Sequence, residues 1–183
     1  DYMNYQITEV MQEYDPDMDS LLFYLPLAGS AFKKVYFDDI LDRAVSRFVP
    51  ADDLVVPYNA TDLASASRIT HVVRMTLNDV RKYQAGGFYR DIELSPYTED
   101  DELKKKEREL SGVQKTADGE ECTLLEIHTD LDLTGFEHIN PLDDEKTGIK
   151  IPYIVTIDLS SQKILAIRRN YTEGDELFRK QQY

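Results

Sequence analysis

The chain has few of the residues that build disulfides and metal sites, because its 183 residues include one cysteine, Cys122, and three histidines. One cysteine cannot form a disulfide within the chain and excludes a site built from several cysteines. The longest apolar run, residues 21–29, contains Pro26 and is much shorter than the ~20 residues of a membrane-spanning helix. We therefore expect a reducing compartment and no membrane segment.

Basic residues are also scarce, with 21 Lys and Arg against 35 Asp and Glu and a formal charge of −14. Tight binding of phosphates requires clustered Lys and Arg, so the chain as a whole is not expected to bind nucleic acid tightly. Its hydrophobic content of 42% is sufficient for a real core. The length favours one domain or two small ones.

The spacing of apolar and turn-forming residues predicts an α+β fold with a mainly antiparallel sheet, two β-hairpins and several short helices. The first hairpin is predicted at residues 32–49, with Pro50 as its stop, and the second at residues 149–169. Further strands are predicted at 54–56, 68–75 and 122–133.

Three helices carry the clearest signals. The first dozen residues place apolar side chains at helical spacing. Asp15 is predicted to cap a second helix that has Pro16 in its first position and an apolar stripe as far as Pro26, and Gly29 is predicted to release the chain. Thr76 and Asp79 have the spacing of a capping box, which predicts a third helix that ends at Gly86 and Gly87.

A change of composition suggests the domain organisation. Residues 96–121 are dense in mixed charge and predict a helical arm or linker between the parts 1–95 and 122–183. If any surface is functional, the turn at residues 37–43 and the arm at residues 99–115 are candidates for contacts with neighbouring molecules.

The strongest candidate for a metal site is the alternating set His128, Asp130 and Asp132. Side chains two residues apart on a strand leave on the same face, so these three could meet a divalent ion and support a metal-dependent hydrolase. Polar residues on the outer face of a half-buried strand give the same pattern. No further ligand or base is identifiable, so the sequence predicts no catalytic, cofactor-binding or metal residue and a protein that is not an enzyme.

Two weaker patterns have structural interpretations. Asp15, Asp17 and Asp19 have the spacing of a calcium loop, but Ser20 occupies the position of the required glycine. Helix capping explains these residues better. His71 lies in an apolar strand and is predicted to be a hydrogen-bonded core histidine.

Four segments together resemble the portal protein of short-tailed bacteriophages and related prophages. They read LLFYLPLAGSAFKKVYFD, RFVPADDLVVPY, RITHVVRMTLNDVRKYQAGGFYRD and GIKIPYIVTIDLSSQKILAIRRNY. The resemblance spans residues 5–171, with nothing recognisable at residues 99–121.

This resemblance implies a structural subunit of a ring, commonly a dodecamer, at one capsid vertex. Such rings admit double-stranded DNA during packaging, hold the terminase, contact capsid proteins and later join the tail and release the genome. Residues 1–95 would be a helix-hairpin-helix part of the portal wing, and residues 122–183 would run from wing to clip. The location would be the virion, and the host cytoplasm during assembly.

The chain is interpreted as an excised segment of a longer protein, upstream of the stem helix that lines the channel. An acidic balance permits DNA to pass without specific binding, because phosphates held by Lys or Arg would slow translocation. One further alternative is a protein-binding adaptor that docks a partner on the sheet edge of residues 151–169, which nothing after Tyr171 is expected to cover.

Overall fold

The computed structural model describes residues 2–38, 40–94, 121–140, 142–172 and 174–183. These residues form an α+β fold with three α-helices and two antiparallel sheets, which confirms the predicted fold class. Apart from Glu121, the predicted arm at residues 96–121 lies outside the described residues, as does the whole candidate contact segment 99–115.

The chain begins with helix, as predicted. Helix α1 (Tyr2–Tyr5) continues into a π-helical segment, Gln6–Val10. Helix α2 follows at Tyr14–Ala28. The prediction that Asp15 caps α2 is wrong, because the preceding residue, Glu13, occupies the cap position and Asp15 lies inside the first turn.

Helix α2 runs through Pro26 to Ala28 and ends before Gly29, the residue predicted to release the chain. Pro26 falls in the last turn, where the helix sacrifices one backbone hydrogen bond and has few left to lose. Gly29 then closes α2 with a left-handed φ of 78°, and its N–H donates to Leu25 O at 2.9 Å.

The first hairpin is confirmed as strands β1 (Ala31–Asp38) and β2 (Arg43–Pro50). Its antiparallel register places Lys34 opposite Arg47. Helix α2 packs on one face of this hairpin, where the Tyr24 and Phe48 rings meet edge to face at 5.5 Å. The Phe48 N–H also donates to Asp17 Oδ2 at 2.9 Å, so Asp17 joins helix and hairpin.

The remaining strands form one five-stranded antiparallel sheet in sequence order. They are β3 (Leu54–Val55), β4 (Arg68–Thr76), β5 (Glu121–Leu131), β6 (Ile151–Asp158) and β7 (Ile164–Arg169). Strands β6 and β7 are the predicted second hairpin. Strands β4 and β5, from either side of the proposed linker, are hydrogen-bonded neighbours, and the division of the chain into parts stays a prediction.

Helix α3 (Leu77–Ala85) follows β4 directly, with the predicted Thr76 at its N-cap. Thr76 Oγ1 accepts the Asp79 N–H at 3.1 Å, and the Asp79 carboxylate accepts the Thr76 hydroxyl at 2.8 Å. Both hydrogen bonds of this capping box therefore involve the Thr76 hydroxyl group. On the opposite side of the helix, Val80 is fully buried against the sheet.

The two faces of the five-stranded sheet differ in their cover. We call the inner face the one that carries Ile69, Leu124 and Glu126, because α3 and the hairpin pack against it. The outer face carries the alternate residues of the same strands. Tyr153 is buried at one end of the outer face, while Ile167, on the neighbouring strand, is 46% exposed.

These contacts give three layers in the order α2, hairpin and five-stranded sheet, and the outer face of the sheet is the side away from the hairpin. Strand alternation separates the two sides of the hairpin, so Phe48 points to α2 while Val49 packs with Leu54 and Ile69 of the sheet. Helix α2 and the outer face therefore lie on opposite sides of the described structure.

Candidate functional site

The candidate metal ligands of the hydrolase alternative, His128, Asp130 and Asp132, are not gathered around a common point. His128 is 1% exposed, whereas Asp130 and Asp132 are exposed, and Asp132 lies past the end of β5. Within the described parts of the chain, no three His, Cys, Asp or Glu side chains are close enough to hold a metal ion together.

The predicted outward orientation of this strand is wrong. His128 and Glu126 point to the inner face, beneath the hairpin, together with the buried Leu124. Leu125 and Ile127, which alternate with them along the strand, point to the outer face and are half-buried. The hairpin carries a buried positive charge on the side that faces the sheet, and this charge requires a polar partner on the inner face.

That charge is Lys34, which is 7% exposed in the middle of β1. Its Nζ donates to both carboxylate oxygens of Glu126, at 2.5 Å for Oε1 and 2.7 Å for Oε2. The His128 Nε2 lies 2.8 Å from the same Oε1. We call Lys34, Glu126 and His128 the polar seam, since they join the hairpin to the sheet.

The polar seam keeps Glu126 ionised despite its burial. Burial by itself would raise the pKa of Glu126, but the hydrogen bond from His128 and the charge of Lys34 outweigh it and lower the pKa well below the ordinary value. The charge on Lys34 is thus neutralised where water has little access. A buried ion pair of this kind positions two layers, and its net contribution to stability is small compared with the cost of breaking it.

The C-terminal residues pack beside the polar seam. The Tyr183 ring meets the His128 ring edge to face at 5.4 Å, and its hydroxyl donates to Glu126 Oε1 at 3.3 Å. The Gln182 carbonyl accepts the Val35 N–H of β1 at 2.7 Å. Burial and the Glu126 carboxylate raise the pKa of Tyr183, so its phenol stays protonated.

His71 lies next to the polar seam, opposite Glu126 in the sheet register. The prediction of a hydrogen-bonded core histidine is wrong in one respect, because the buried Nδ1 has no hydrogen-bond partner among the described residues. Burial, and then the charge of Lys34, lower the pKa of His71 to about 4. The ring is neutral at physiological pH and contacts the Tyr183 ring at 5.8 Å.

Sequence reasoning missed Lys34 and Glu126. Each is a charged residue within an apolar strand, and that pattern was a usable signal of burial with a partner. Which charge pairs with which depends on how the hairpin lies on the sheet, and that packing leaves no local trace in the sequence.

Helix α2 presents exposed apolar side chains on the hairpin side. Leu22, Phe23 and Leu27 are 58%, 75% and 73% exposed. The neighbouring residues of the same helix turn Tyr24 toward the hairpin, so the last two turns of α2 are apolar around most of their circumference. An apolar helix surface of this kind is typical of one that another molecule covers.

The candidate contact turn at residues 37–43 is also apolar and open to solvent. Phe37, Ile40 and Leu41 are 58%, 45% and 51% exposed. The side chain of Ile40 lies against Gly86 at the end of α3, 3.4 Å from where a Cβ would stand. The turn is therefore anchored to the body of the fold while most of its apolar surface faces water.

Strand β7 forms one edge of the sheet, as the adaptor alternative requires. The expectation that nothing after Tyr171 covers this edge is wrong at one point, because the Lys180 N–H donates to Asn170 O at 2.9 Å, just past the strand. Within β7, the Arg90 N–H donates to Leu165 O at 2.8 Å. The edge is thus occupied at two positions.

No protein-family model and no curated protein match this chain. Among the described residues, none of the helices combines the length and the apolar character needed to cross a bilayer. The portal resemblance accordingly depends on the four sequence segments, and the surfaces described above are what the structure adds.

Proposed function

We propose that this chain is a structural module that works by assembling with copies of itself. More specifically, we propose that it is a segment of the portal ring of a short-tailed bacteriophage or prophage, which forms the channel for packaging and ejection of double-stranded DNA. In this role it has no active site and contributes surfaces to neighbouring subunits, with the terminase, capsid and tail proteins as further partners.

The observation that carries this proposal is the exposed apolar half of α2. A large apolar surface in water is unfavourable by roughly 25 cal/mol for each Å². Most of the surface of Leu22, Phe23 and Leu27 is left uncovered by the described residues, and a neighbouring subunit would cover it. The apolar turn around Phe37 and Leu41 adds a second open surface on the hairpin.

The segments that carry the resemblance also coincide with the folded elements. They comprise the second half of α2 with β1, the end of β2 with β3, β4 with α3, and the β6–β7 hairpin. The net charge of −14 supports the same role, because an acidic wall repels the DNA backbone at separations up to the screening length of ~10 Å in physiological salt.

The direct test is electron microscopy of the protein that contains this segment. The proposal expects closed rings with cyclic symmetry, because heterologous contacts between identical subunits close when the rotation between them permits. A homogeneous monomer or a symmetric dimer at micromolar concentration would contradict it.

A variant pair connects that test to α2. Phe23→Asp is expected to reduce the yield of rings strongly, because it places a charge in the contact. Leu142→Asp is the matched control, since Leu142 is 92% exposed in the loop between β5 and β6 and lies outside α2. Equal ring yields for the two variants would remove α2 from the interface.

A further inference from the structure

We propose that neighbouring copies associate head to tail, with the α2 side of one copy docked on the outer sheet face of the next. This inference rests on the proposed function, because it names the two surfaces that meet in the ring. Both surfaces are apolar at the centre, they carry opposite charge, and they lie on opposite sides of the same chain.

The α2 side is apolar and acidic. The first 28 residues contain six Asp and Glu and no Lys, Arg or His. Asp15 and Asp19 are exposed in the first half of α2, ahead of the exposed Leu22, Phe23 and Leu27. The α2 side therefore combines an apolar patch with an adjoining negative rim.

The outer sheet face is apolar and basic, although the whole chain is strongly acidic. Val55, Ile164 and Ile167 are 48%, 38% and 46% exposed there, and the half-buried residues between them are apolar as well. Among the described strand residues of this face, the charged ones are Arg68, Arg74, Arg169 and, at one corner, Glu121. Arg74 is neutralised by an ion pair with Asp53 at 2.7 Å, so Arg68 and Arg169 against Glu121 leave these strands with a small positive balance.

The layered order of the fold gives these two surfaces a direction. The hairpin and the inner sheet face lie between α2 and the outer face, so a copy can use both surfaces at once without blocking either. Different patches on opposite sides produce heterologous contacts, which generate rings or filaments and do not stop at a dimer. Opposite charges on the two rims favour this pairing and oppose contact of two α2 sides or two outer faces.

The composition of the outer face favours a protein partner over nucleic acid. Its exposed apolar strand residues, Val55, Ile164 and Ile167, are aliphatic and offer no aromatic ring on which a base could stack. Three arginines spread over the sheet are few for a phosphate-binding surface. An apolar helix with an acidic rim matches both properties of the face.

Cysteine cross-linking between copies tests the contact. Chains with Phe23→Cys are mixed with chains with Ile167→Cys, within the protein that assembles, and then oxidised. The native Cys122 is fully buried in β5. The control mixture pairs Phe23→Cys with Phe178→Cys, because Phe178 is 70% exposed but belongs to the C-terminal segment and not to the outer face.

The inference expects disulfide-linked dimers from the 23 and 167 pair at a several-fold higher yield than from the control pair. Rings that form without this excess overturn the inference and leave the proposed function standing. If no rings form at all, the proposed function fails, and the inference fails with it.

Two further measurements separate the remaining explanations. A maleimide should label the thiol at position 167 readily in the monomer and slowly in the ring; slow labelling in the monomer overturns the inference, because the chain itself then covers the face. Protection by added DNA in place of a second copy also overturns it.

Charge reversal tests the rims. Asp19→Arg or Arg68→Glu alone is expected to weaken association about fivefold, which is what one exposed charge pair contributes. A mixture of the two variants should recover part of that loss at the contact between unlike chains. If each single variant loses affinity equally and the mixture of the two recovers none of it, the proposed pairing of these two rims is contradicted.

Discussion

The polar seam and helix α2 reverse the usual distribution of residues in a globular protein. The seam buries a lysine, a glutamate and a histidine between two layers, while α2 exposes leucines and a phenylalanine to solvent. Buried charges are costly unless they are paired, and exposed apolar patches are unfavourable unless they are covered. The seam already has its partners within the chain, whereas α2 lacks them among the described residues.

Contacts that hold the hairpin to the sheet are complete within the chain and specify one arrangement. The apolar side chains of α2 have no comparable cover among the described residues, and the proposed function assigns their contacts to a neighbouring copy. Substitutions in the two regions should therefore act on different quantities, namely folding stability for the seam and association for α2.

The largest effect is expected from breaking the seam. Lys34→Met leaves Glu126 buried with His128 and without its cation, and should lower the free energy of unfolding by about 3 kcal/mol. The double variant Lys34→Met with Glu126→Gln removes both charges and keeps an acceptor for His128. It should recover most of the loss, as measured by urea unfolding followed by circular dichroism.

The control for the seam is the exposed ion pair of Lys146 with Glu137, which has a 2.7 Å contact on the surface. Lys146→Met should change the unfolding midpoint far less than Lys34→Met, because exposed pairs contribute little. Equal shifts for the two lysines, or a double variant that is no better than Lys34→Met, would contradict the role given to the seam.

A smaller effect concerns pH and His71. The unfolded chain protonates this histidine below about pH 6.5, its ordinary value, and the folded chain below about pH 4, because burial and Lys34 oppose the charge. Stability from this group is therefore fully present above pH 6.5 and is lost as the pH falls toward 4. The loss should reach about 2 kcal/mol after allowing for the part of the ring that water reaches.

His71→Phe should flatten this part of the stability profile, measured as the urea midpoint at intervals between pH 7.5 and 4.5. The comparison at pH 7.5 serves as an internal control, because the ring is neutral in both folded and unfolded chains there. An unchanged slope in the variant would mean that other groups cause the acid sensitivity.

A still smaller effect is expected at Tyr183. Tyr183→Phe removes the 3.3 Å hydrogen bond to Glu126 and keeps the ring contacts with both histidines. The expected loss in the free energy of unfolding is about 1 kcal/mol, the ordinary contribution of one such bond. A loss as large as that of Lys34→Met would show that the hydroxyl, and not the ring, is the main contribution of this residue.

The smallest effect on folding is expected in α2. Phe23→Ser should change the free energy of unfolding of the monomer by no more than about 0.5 kcal/mol, because the side chain is 75% exposed and loses little on substitution. The same variant should reduce association measured by light scattering. A large loss of monomer stability would show that α2 is covered within its own chain.

Local signals explain most of the fold that the sequence predicted. The first hairpin followed from two apolar strands with a polar turn between them, and helix α3 followed from Thr76 and Asp79. The start of α2 was mispredicted because Asp15 is a capping residue by type, whereas the helix begins at Tyr14 with Glu13 in the cap position.

The polar seam could not be read in the same way. Alternation in β5 showed correctly that Glu126 and His128 share a face, but not which face the hairpin covers. Both faces of this strand carry apolar residues, so hydrophobic pattern alone gives no preference. The lysine that decides the orientation lies 92 positions away in the sequence.

The seam also limits how the hairpin can be placed on the sheet. No backbone hydrogen bonds between strands join these two sheets, within the described residues, so ladder geometry does not fix their alignment. A shift of β1 by two residues would place Phe32 or Tyr36 over Glu126. The Glu126 carboxylate would then be buried among apolar groups without a cation. A shifted position of the hairpin on the sheet therefore costs more free energy than it would if the contact between them were entirely aliphatic.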